Sequence, residues 1–325
     1  MALLEAIGPT EGGVSVEQAQ LLTELRGARQ LRAVVEAHGR GLEDLSRRMS
    51  LSSDRSLYLA LAELGRRHAL IGPMPGAAPE DLGLANFELR GYSQNGEDGV
   101  IAEILRRIGV DQPFFVEFGV ESGIEGNCVY LADVAGWAGL FMEADEQMYR
   151  LLERKYRGRE GVQTVQSMVT PENIEELLDA ASVPQQLDVL SIDVDGEDYW
   201  IWQAITGHRP RVVVIEYNSA LDPRRRLVQP RGVGGWDGTD YFGASLGAVR
   251  TLGEEKGYQL VHTELAGSNA FFVREDLAAN RFSDPATVPI RGIPNYYQTG
   301  YRHPPDELQR RFLDLDSGEL VAKDA

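Results

Sequence analysis

The feature that most constrains the fold is a regular alternation of short apolar runs with amphipathic segments between residues 114 and 273. Strands are predicted at Phe114–Phe118, Gly139–Glu143, Val162–Gln166, Leu187–Val194, Arg211–Glu216, Gln259–Thr263 and Ala270–Val273. Helices are predicted at Asn127–Val134, Glu146–Tyr156, Pro171–Ala181, Asp198–Ile205 and Gly243–Lys256. Strands that alternate with helices form a parallel sheet, whereas the last two have no helix between them and should pair antiparallel. The sequence therefore predicts an α/β fold with a seven-stranded, mostly parallel sheet that ends in an antiparallel hairpin.

The segments outside this alternation predict the domain organisation. Residues 1–70 carry leucines and valines at helical spacing, which predicts a helical extension whose apolar stripe contacts a second copy of the chain. Residues 71–89 are rich in Gly, Pro and Ala, a composition that is typical of a linker. We expect the main domain over residues 90–275, with an irregular insert at 219–243, and a C-terminal extension over 276–325.

Composition excludes several classes of protein. A formal net charge of −18 disfavours nucleic-acid and membrane partners, because an acidic surface repels phosphates and anionic lipids. Cys128 is the single cysteine, so an internal disulfide and a CxxC zinc site are excluded. The N-terminus lacks the pattern of a secretory signal, and no apolar run approaches the roughly 18 residues that span a bilayer. We therefore expect a cytoplasmic protein.

The first predicted strand ends in a glycine-containing turn with an acid before it. Glu117, Gly119 and Gly123 follow the spacing E-x-G-x-x-x-G, in which glycines permit a tight turn and close approach to a ligand. This is not the G-x-G-x-x-G dinucleotide pattern, and an acid at this position would repel a pyrophosphate. It would instead suit a cationic group such as an ammonium. The charge argument favours S-adenosylmethionine (SAM) over NAD as the cofactor.

The next two strands supply candidates for the rest of that cofactor. Glu143 ends the second strand, where an acid is placed to accept the hydroxyls of a ribose. Ser167 and Met168 follow the third strand and would flank an adenine. Asn127, at the start of the helix after the glycines, is a further candidate for cofactor binding.

Acidic residues follow the fourth and fifth strands, whose ends should lie close together because adjacent strands are about 4.8 Å apart. Asp195, Glu216 and Asn218 would together offer the oxygen ligands that Mg²⁺ prefers. In the alternative without a metal, Asp195 acts alone as the base or hydrogen-bond acceptor, and Asp193 packs beside the cofactor. His262, near the end of the sixth strand, is a further candidate base, although a purely structural role is the stronger expectation.

The insert at 219–243 carries the candidates for substrate binding. Arg224, Arg225 and Arg226 stand out in an acidic chain, and guanidinium groups bind phosphate or carboxylate. Trp236 and Tyr241 offer aromatic faces on which a sugar ring can stack. The alternative is that the arginines pair with the protein's own carboxylates. We expect a small-molecule or saccharide acceptor, activated as a nucleotide or phosphate ester if the arginines bind it.

Several separate segments resemble the FkbM-like methyltransferases: Tyr92–Ile101, Phe115–Val120, Leu190–Trp200, Val214–Asn218 and Ser268–Val273. The resemblance covers about residues 90–275 and implies a Rossmann-like class I fold, SAM as the cofactor, and O-methylation of a sugar, polysaccharide or glycosylated natural product. It places Gln94, with its neighbours 93–98, across the cofactor. Glu97 and Asp98 are equally well explained as acids at a helix N-terminus.

A second resemblance concerns the metal. Asp195–Tyr199 looks like the metal-binding segment of magnesium-dependent macrolide-sugar O-methyltransferases, in which acids on these two strands hold the ion. The chain departs from that pattern, because Glu-Tyr-Asn at 216–218 replaces paired aspartates. Three other functions stay open at this point: N-methylation of a small molecule or peptide, a nucleotide-dependent oxidoreductase, and a non-catalytic assembly protein with the same fold.

Overall fold

The structure is a computed structural model, and it describes residues 83–264, 266–284, 288 and 303–324. All of these residues fall within one compact unit. The predicted helical extension, the expected contact between copies and most of the predicted linker lie outside the described residues. Among the described helices, none is long and apolar enough to cross a membrane.

The core of the fold is a seven-stranded sheet. In chain order the strands of the protein are β1 Phe114–Phe118, β2 Ala138–Glu143, β3 Val162–Gln166, β4 Val189–Ile192, β5 Val212–Glu216, β6 Leu227–Val228, β7 Tyr258–Thr263, β8 Asn269–Arg274, β9 Phe312–Asp314 and β10 Leu320–Val321. The order across the main sheet is β3-β2-β1-β4-β5-β8-β7. The first five of these strands are parallel, and β8 runs antiparallel to both of its neighbours. The predicted fold class, an α/β fold whose mostly parallel seven-stranded sheet ends in an antiparallel hairpin, is therefore confirmed.

The helices cover both faces of this sheet. They are α1 Glu97–Ile108, α2 Val129–Asp133, α3 Glu146–Tyr156, α4 Ile174–Ala180, α5 Asp198–Ala204, α6 Leu246–Glu255 and α7 Glu275–Ala278. Side chains at the ends explain where two of them begin: Asp145 accepts hydrogen bonds from the first turn of α3, and Ser245 does the same for α6. The helix predicted at 171–181 begins three residues later, after a turn in which the Asn173 side chain accepts from the Thr170 N–H at 2.8 Å.

Alternating residues of each strand enter two apolar layers. Val116 and Phe118 of β1 face one layer, and Phe115 between them faces the other. The first layer contains Trp202 of α5, which is 1% exposed and lies 4.9 Å from the ring of Phe272, measured between centroids. Burial on both faces is why the parallel strands read as continuous apolar runs in the sequence.

The insert and the C-terminal segment form a second, small sheet. β9 pairs antiparallel with both β6 and β10, so that residues 227–228 of the insert join residues 312–321. The Tyr241 hydroxyl donates to the Arg311 carbonyl oxygen at 3.0 Å, and Lys323 pairs with Asp240. The insert predicted to be irregular is thus ordered by a partner about 85 residues away, which a local pattern does not reveal.

Replacing Trp202 with alanine should destabilise the protein by about 3–5 kcal/mol, because a large buried aromatic leaves a cavity against Phe272. Trp236→Ala is the matched control, since Trp236 is 40% exposed. The free energy of unfolding from urea titrations of both variants checks this. Equal losses in the two variants would show that the layer around Trp202 does not carry the stability assigned to it.

Candidate active site

A cavity of about 330 Å³ opens at the carboxyl ends of β1, β4 and β5. The strand order reverses between β1 and β4, and ligands of open α/β sheets bind at such reversals. The lining residues are Gln94, Glu97, Glu117, Gly119, Val120, Glu121, Glu125, Gly126, Asn127, Asp193, Asp195, Glu216, Trp236, Phe242, Ser268, Asn269 and His303. The structure therefore brings together most of the residues predicted to bind the cofactor with those predicted to do the chemistry.

The charged side chains that line the cavity are predominantly acidic. Its described lining includes seven carboxylates, at positions 97, 117, 121, 125, 193, 195 and 216, and no lysine or arginine. His303 is the one described lining residue that can become positively charged. A cavity of this composition attracts cations and repels phosphate groups.

The turn after β1 is shaped by Glu117 and Gly119. The Glu117 carboxylate accepts hydrogen bonds from the backbone N–H groups of Asn127 at 2.7 Å and Cys128 at 2.9 Å. Burial outweighs these donors and raises the pKa of Glu117 to about 7. Gly119 has φ of 71°, and a Cβ there would lie 1.8 Å from the carbonyl oxygen of Asp193. Glycine is required here by conformation and by space.

The segment before α1 is held by Asp98, which brings Gln94 to the cavity wall. The Asp98 carboxylate accepts from the backbone N–H groups of residues 91, 92 and 93 at 2.6–2.8 Å. Burial raises the pKa of Asp98 to about 6. Glu97 instead lines the cavity and accepts from the Asn269 side-chain amide at 2.9 Å. Of the two acids, one anchors the segment and the other faces the candidate site.

The residues predicted for ribose and adenine lie outside the cavity lining. Glu143 is buried, and its two oxygens accept from the N–H groups of Glu121 and Asp145, both at 2.7 Å. A carboxylate offers about four acceptor positions, so Glu143 retains capacity for a hydroxyl. Ser167 donates to the Met168 carbonyl oxygen at 3.3 Å, and the Met168 side chain is 68% exposed. Glu143 is the last residue of β2, which neighbours β1 in the sheet. Ser167 and Met168 follow β3, which neighbours β2.

Asp193, Asp195 and Glu216 converge at the ends of β4 and β5, with one oxygen of each within 4.8 Å of the others. Burial and the neighbouring carboxylates raise the pKa of both Asp193 and Glu216 well above the ordinary range. Asp195 adopts φ of 58°, in the left-handed region that is uncommon for residues other than glycine. The prediction that these strand ends meet is confirmed by the geometry.

Asn218 does not join this cluster, which corrects the predicted ligand set. Its side-chain N–H groups donate to the carbonyl oxygens of Asp240 at 3.0 Å and Phe242 at 2.9 Å. Its Oδ1 accepts from the Ala220 N–H at 3.0 Å. The amide thus makes three hydrogen bonds that fold the insert, while Asp193 is the third acid that lies close to Asp195 and Glu216.

The histidine at the cavity is His303, not the predicted His262. His262 is buried, its Nε2 lies 3.0 Å from a Glu88 carboxylate oxygen, and it does not line the cavity. His303 lies 4.9 Å from the ring of Trp236 and 5.4 Å from that of Phe242, measured between centroids. No local signal marks His303, because its position depends on how the C-terminal segment packs on the insert.

The arginines of the insert pair with the protein's own carboxylates, which was the alternative explanation. The pairs are Arg224–Asp222 at 2.8 Å, Arg225–Asp314 at 2.8 Å and Arg226–Asp316 at 3.2 Å. None of the three arginines lines the cavity. Trp236 does line it, whereas Tyr241 is buried in a small apolar cluster with Leu227 and Phe312. The structure thus corrects the prediction that Arg224, Arg225, Arg226 and Tyr241 contact the substrate.

Comparisons with known proteins bear on the fold. No family model and no curated protein matches the chain. Similar solved structures include the N-terminal domain of EvdMO1 with S-adenosylhomocysteine (SAH) bound, at 14% identity over 55% of this chain and 79% of that one, with a TM-score of 0.36. A SAM-dependent methyltransferase from Aquifex aeolicus matches at 12% identity over 53% and 87%, with a TM-score of 0.32. Fibrillarin from Aeropyrum pernix with bound SAM matches at 13% identity over 53% and 72%, with a TM-score of 0.34. Scores this low carry no argument about function.

The contact between Gly119 and Asp193 predicts the effect of a single methyl group. Gly119→Ala should abolish cofactor binding, because the added Cβ pushes the ends of β1 and β4 apart. Gly136→Ala is the matched control, since Gly136 has φ of 72° and open space around its Cβ position. Both variants carry the strain of a positive φ, and only the first has a clash. Circular dichroism first verifies that both variants are folded, and calorimetry then measures their affinities for SAH. Equal SAH affinities in the two variants would contradict the prediction.

Proposed function

We propose that the protein is a SAM-dependent methyltransferase that acts on a hydroxyl group of a sugar or glycosylated acceptor. The observation that carries this proposal is the acid-lined cavity at the strand-order reversal of a sheet with the methyltransferase arrangement. SAM supplies a methyl group on a positively charged sulfur, and its methionine end carries an ammonium group. Both cationic groups suit carboxylates in a partly desolvated site.

The turn after β1 would hold the methionine end of the cofactor. Glu117 and Glu97 supply negative charge there, and Gln94 supplies a neutral amide that Asp98 keeps at the wall. Glu143 stands at the end of the neighbouring β2, where it would accept the ribose hydroxyls. Ser167 and Met168, after β3, would then flank the adenine. The residues follow the order β1, β2, β3 across the sheet, which gives the cofactor an extended path.

The acceptor would bind on the opposite side of the cavity, between Asp195 and the rings of Trp236, Phe242 and His303. An aromatic wall packs against the apolar face of a sugar ring, and a carboxylate accepts the proton of its hydroxyl or orients it. Because no described arginine or lysine lines the cavity, we propose an acceptor without a phosphate group. We also propose that Mg²⁺ assists in holding the acceptor hydroxyl.

An amine acceptor is the second candidate, since carboxylates and aromatic rings also bind ammonium groups. The same acidity disfavours the oxidoreductase alternative, because the pyrophosphate of a dinucleotide would face Glu117 and Glu97. A non-catalytic assembly protein would bind SAH without transferring methyl groups. These alternatives predict different products from the same assay.

Methyl transfer is tested with tritiated SAM, the protein and saccharide fractions of a cell extract. The proposal predicts label in a product that survives acid and base, as a methyl ether does. A labelled amine would establish the second candidate. Labelled SAM that binds in calorimetry but leaves every fraction unlabelled would favour the non-catalytic alternative.

Proton release should accompany cofactor binding. A cationic ligand stabilises the ionised form of Glu117, whose pKa of about 7 leaves it partly protonated at neutral pH. The affinity for SAM should therefore rise between pH 6 and pH 8, and the affinity for SAH should rise as well, because both molecules carry the ammonium group that is proposed to lie beside Glu117. Calorimetry in buffers of different ionisation enthalpy measures the protons exchanged. Proton uptake on binding SAM would contradict this assignment of Glu117.

The aromatic wall predicts a separation of acceptor binding from cofactor binding. Trp236→Ala should lower methyl transfer by about 2- to 10-fold through a higher KM for the acceptor, since one stacking contact is lost. The Kd for SAH should stay unchanged, because Trp236 contacts the acceptor side. Initial rates with the tritiated cofactor and calorimetry with SAH check both parts. Weaker SAH binding with an unchanged acceptor KM would place Trp236 on the cofactor instead.

A further inference from the structure

We infer that Asp240 is a positioning residue for acceptor binding, because it ties together the three separate segments that form the acceptor side of the cavity. Asp240 does not line the cavity itself, so it acts through the residues that it holds. The inference rests on the proposed function for what this side of the cavity binds. How its side chains are held can be measured without methyl transfer.

The acceptor side of the cavity is assembled from parts of the chain that are distant in sequence. Glu216 ends β5, and the insert supplies Trp236 and Phe242. His303 comes from the C-terminal segment, and its ring meets those of Trp236 and Phe242 edge-on, at interplanar angles of 86° and 72°. His303, Phe242 and Glu216 also line a smaller cavity of about 20 Å³ next to the main one. These side chains form one surface only if the three segments keep their relative positions.

Asp240 belongs to the insert and is bonded through its backbone to the other two segments. Its N–H donates to the carbonyl oxygen of Pro304, the residue after His303, at 3.0 Å. Its own carbonyl oxygen accepts from the side-chain amide of Asn218, two residues after Glu216, at 3.0 Å. One residue thus contacts the chain beside a cavity-lining side chain in each of these segments.

The Asp240 carboxylate strengthens the contact with the C-terminal segment. Its Oδ1 accepts from the Asp306 N–H at 2.9 Å, and its Oδ2 accepts from the Lys323 ammonium group. Asp240 is 7% exposed, and hydrogen bonds to an ionised group are stronger in such a place than at the surface. Lys323 also offsets a negative charge that would be costly to bury alone. The carboxylate therefore fixes the C-terminal segment close to His303.

The small sheet lies too far along the chain to fix His303 by itself. Its strand β9 begins at Phe312, nine residues after His303. Closer to His303, the Pro304 carbonyl oxygen and the Asp306 N–H both bond to Asp240. Removing the Asp240 carboxylate should therefore leave the small sheet intact while it loosens the side of the cavity that carries His303.

The structural part of the test is a nuclear magnetic resonance comparison of Asp240→Ala with Asp316→Ala in the full chain. Asp316 is the matched control, because this acid of the same segment pairs with an arginine of the insert and its side chain is 63% exposed. With ¹³C at histidine Cε1, each of the five histidines gives one signal, and His303→Gln identifies that of His303. The neighbouring aromatic rings shift this signal. Asp240→Ala should move it towards the position of an exposed histidine, and Asp316→Ala should leave it unchanged.

The kinetic part of the test uses dilutions of the saccharide fraction that accepts label from tritiated SAM. Asp240→Ala should raise the apparent KM for this fraction about 10-fold, which corresponds to one lost hydrogen bond to a charged group. The kcat and the Kd for SAH should stay unchanged, whereas a loss of folded protein would lower kcat. Lys323→Ala is a milder change that should also raise KM, and Lys323→Arg should restore it by keeping the ion pair.

The two measurements together decide the inference. A moved His303 signal and a raised KM in Asp240→Ala, both absent in Asp316→Ala, support it. An unchanged His303 signal in Asp240→Ala overturns it, as does an unchanged KM where label is transferred. If Asp240→Ala does not fold, the same outcomes are measured in Lys323→Ala. If the wild-type chain labels no saccharide, the proposed function fails separately, and the His303 signal alone then decides whether Asp240 holds this side of the cavity.

Discussion

The close approach of Gly119 to the carbonyl oxygen of Asp193 is the contact on which the candidate site depends. It joins the end of β1 to the end of β4 at the point where the strand order reverses. Glu117 precedes Gly119 on β1, Asp195 follows Asp193 after β4, and both acids line the cavity. A larger residue at position 119 would separate these ends, and the two sets of acids would no longer face one cavity. The backbone geometry of one glycine thus sets the distance between the parts of the cavity that we propose for the cofactor and for the acceptor.

The acids at and near the cavity differ in the number of hydrogen-bond donors around them. We use this difference to distinguish acids that hold the backbone in place from acids that would bind a ligand. One carboxylate oxygen of Asp98 accepts from three backbone N–H groups and so folds the segment that carries Gln94. Glu117 has two such donors, and its pKa still rises to about 7. Glu216 keeps one buried oxygen without a donor among the described residues. An acid with few hydrogen-bond donors keeps a negative charge that a bound ligand can neutralise. We therefore assign ligand binding to Glu117 and Glu216.

The sequence predicts the parts of this structure that depend on local pattern and on sheet geometry. Strands β1 and β3 and helix α3 have the predicted bounds, because buried parallel strands and amphipathic helices leave regular apolar patterns. The convergence of Asp193, Asp195 and Glu216 was also predictable, since the carboxyl ends of adjacent parallel strands meet at one edge. These inferences need no knowledge of distant contacts.

The wrong predictions concern residues whose partners are distant in sequence or lie in the insert. Arg225 and Arg226 pair with acids of the C-terminal segment, about 90 residues away. The Asn218 side chain holds the insert, since its amide N–H groups donate to the carbonyl oxygens of residues 240 and 242 and its oxygen accepts from the Ala220 N–H. His303 lines the cavity beside a contact between the C-terminal segment and the insert, in which the Pro304 carbonyl oxygen accepts from the Asp240 N–H at 3.0 Å. The positions of these side chains depend on how the insert folds and packs against the C-terminal segment. The sequence pattern of neither segment specifies that packing.

The most direct test of the account is a crystal structure of the protein with SAH. The account predicts SAH along the ends of β1, β2 and β3, with its amino group beside Glu117 and Glu97 and its ribose at Glu143. The homocysteine sulfur should face the space between Asp195 and Trp236, where the acceptor would bind. SAH bound elsewhere on the protein, or bound with its adenine against Asp195 and Trp236, would contradict the assignment of the two sides of the cavity.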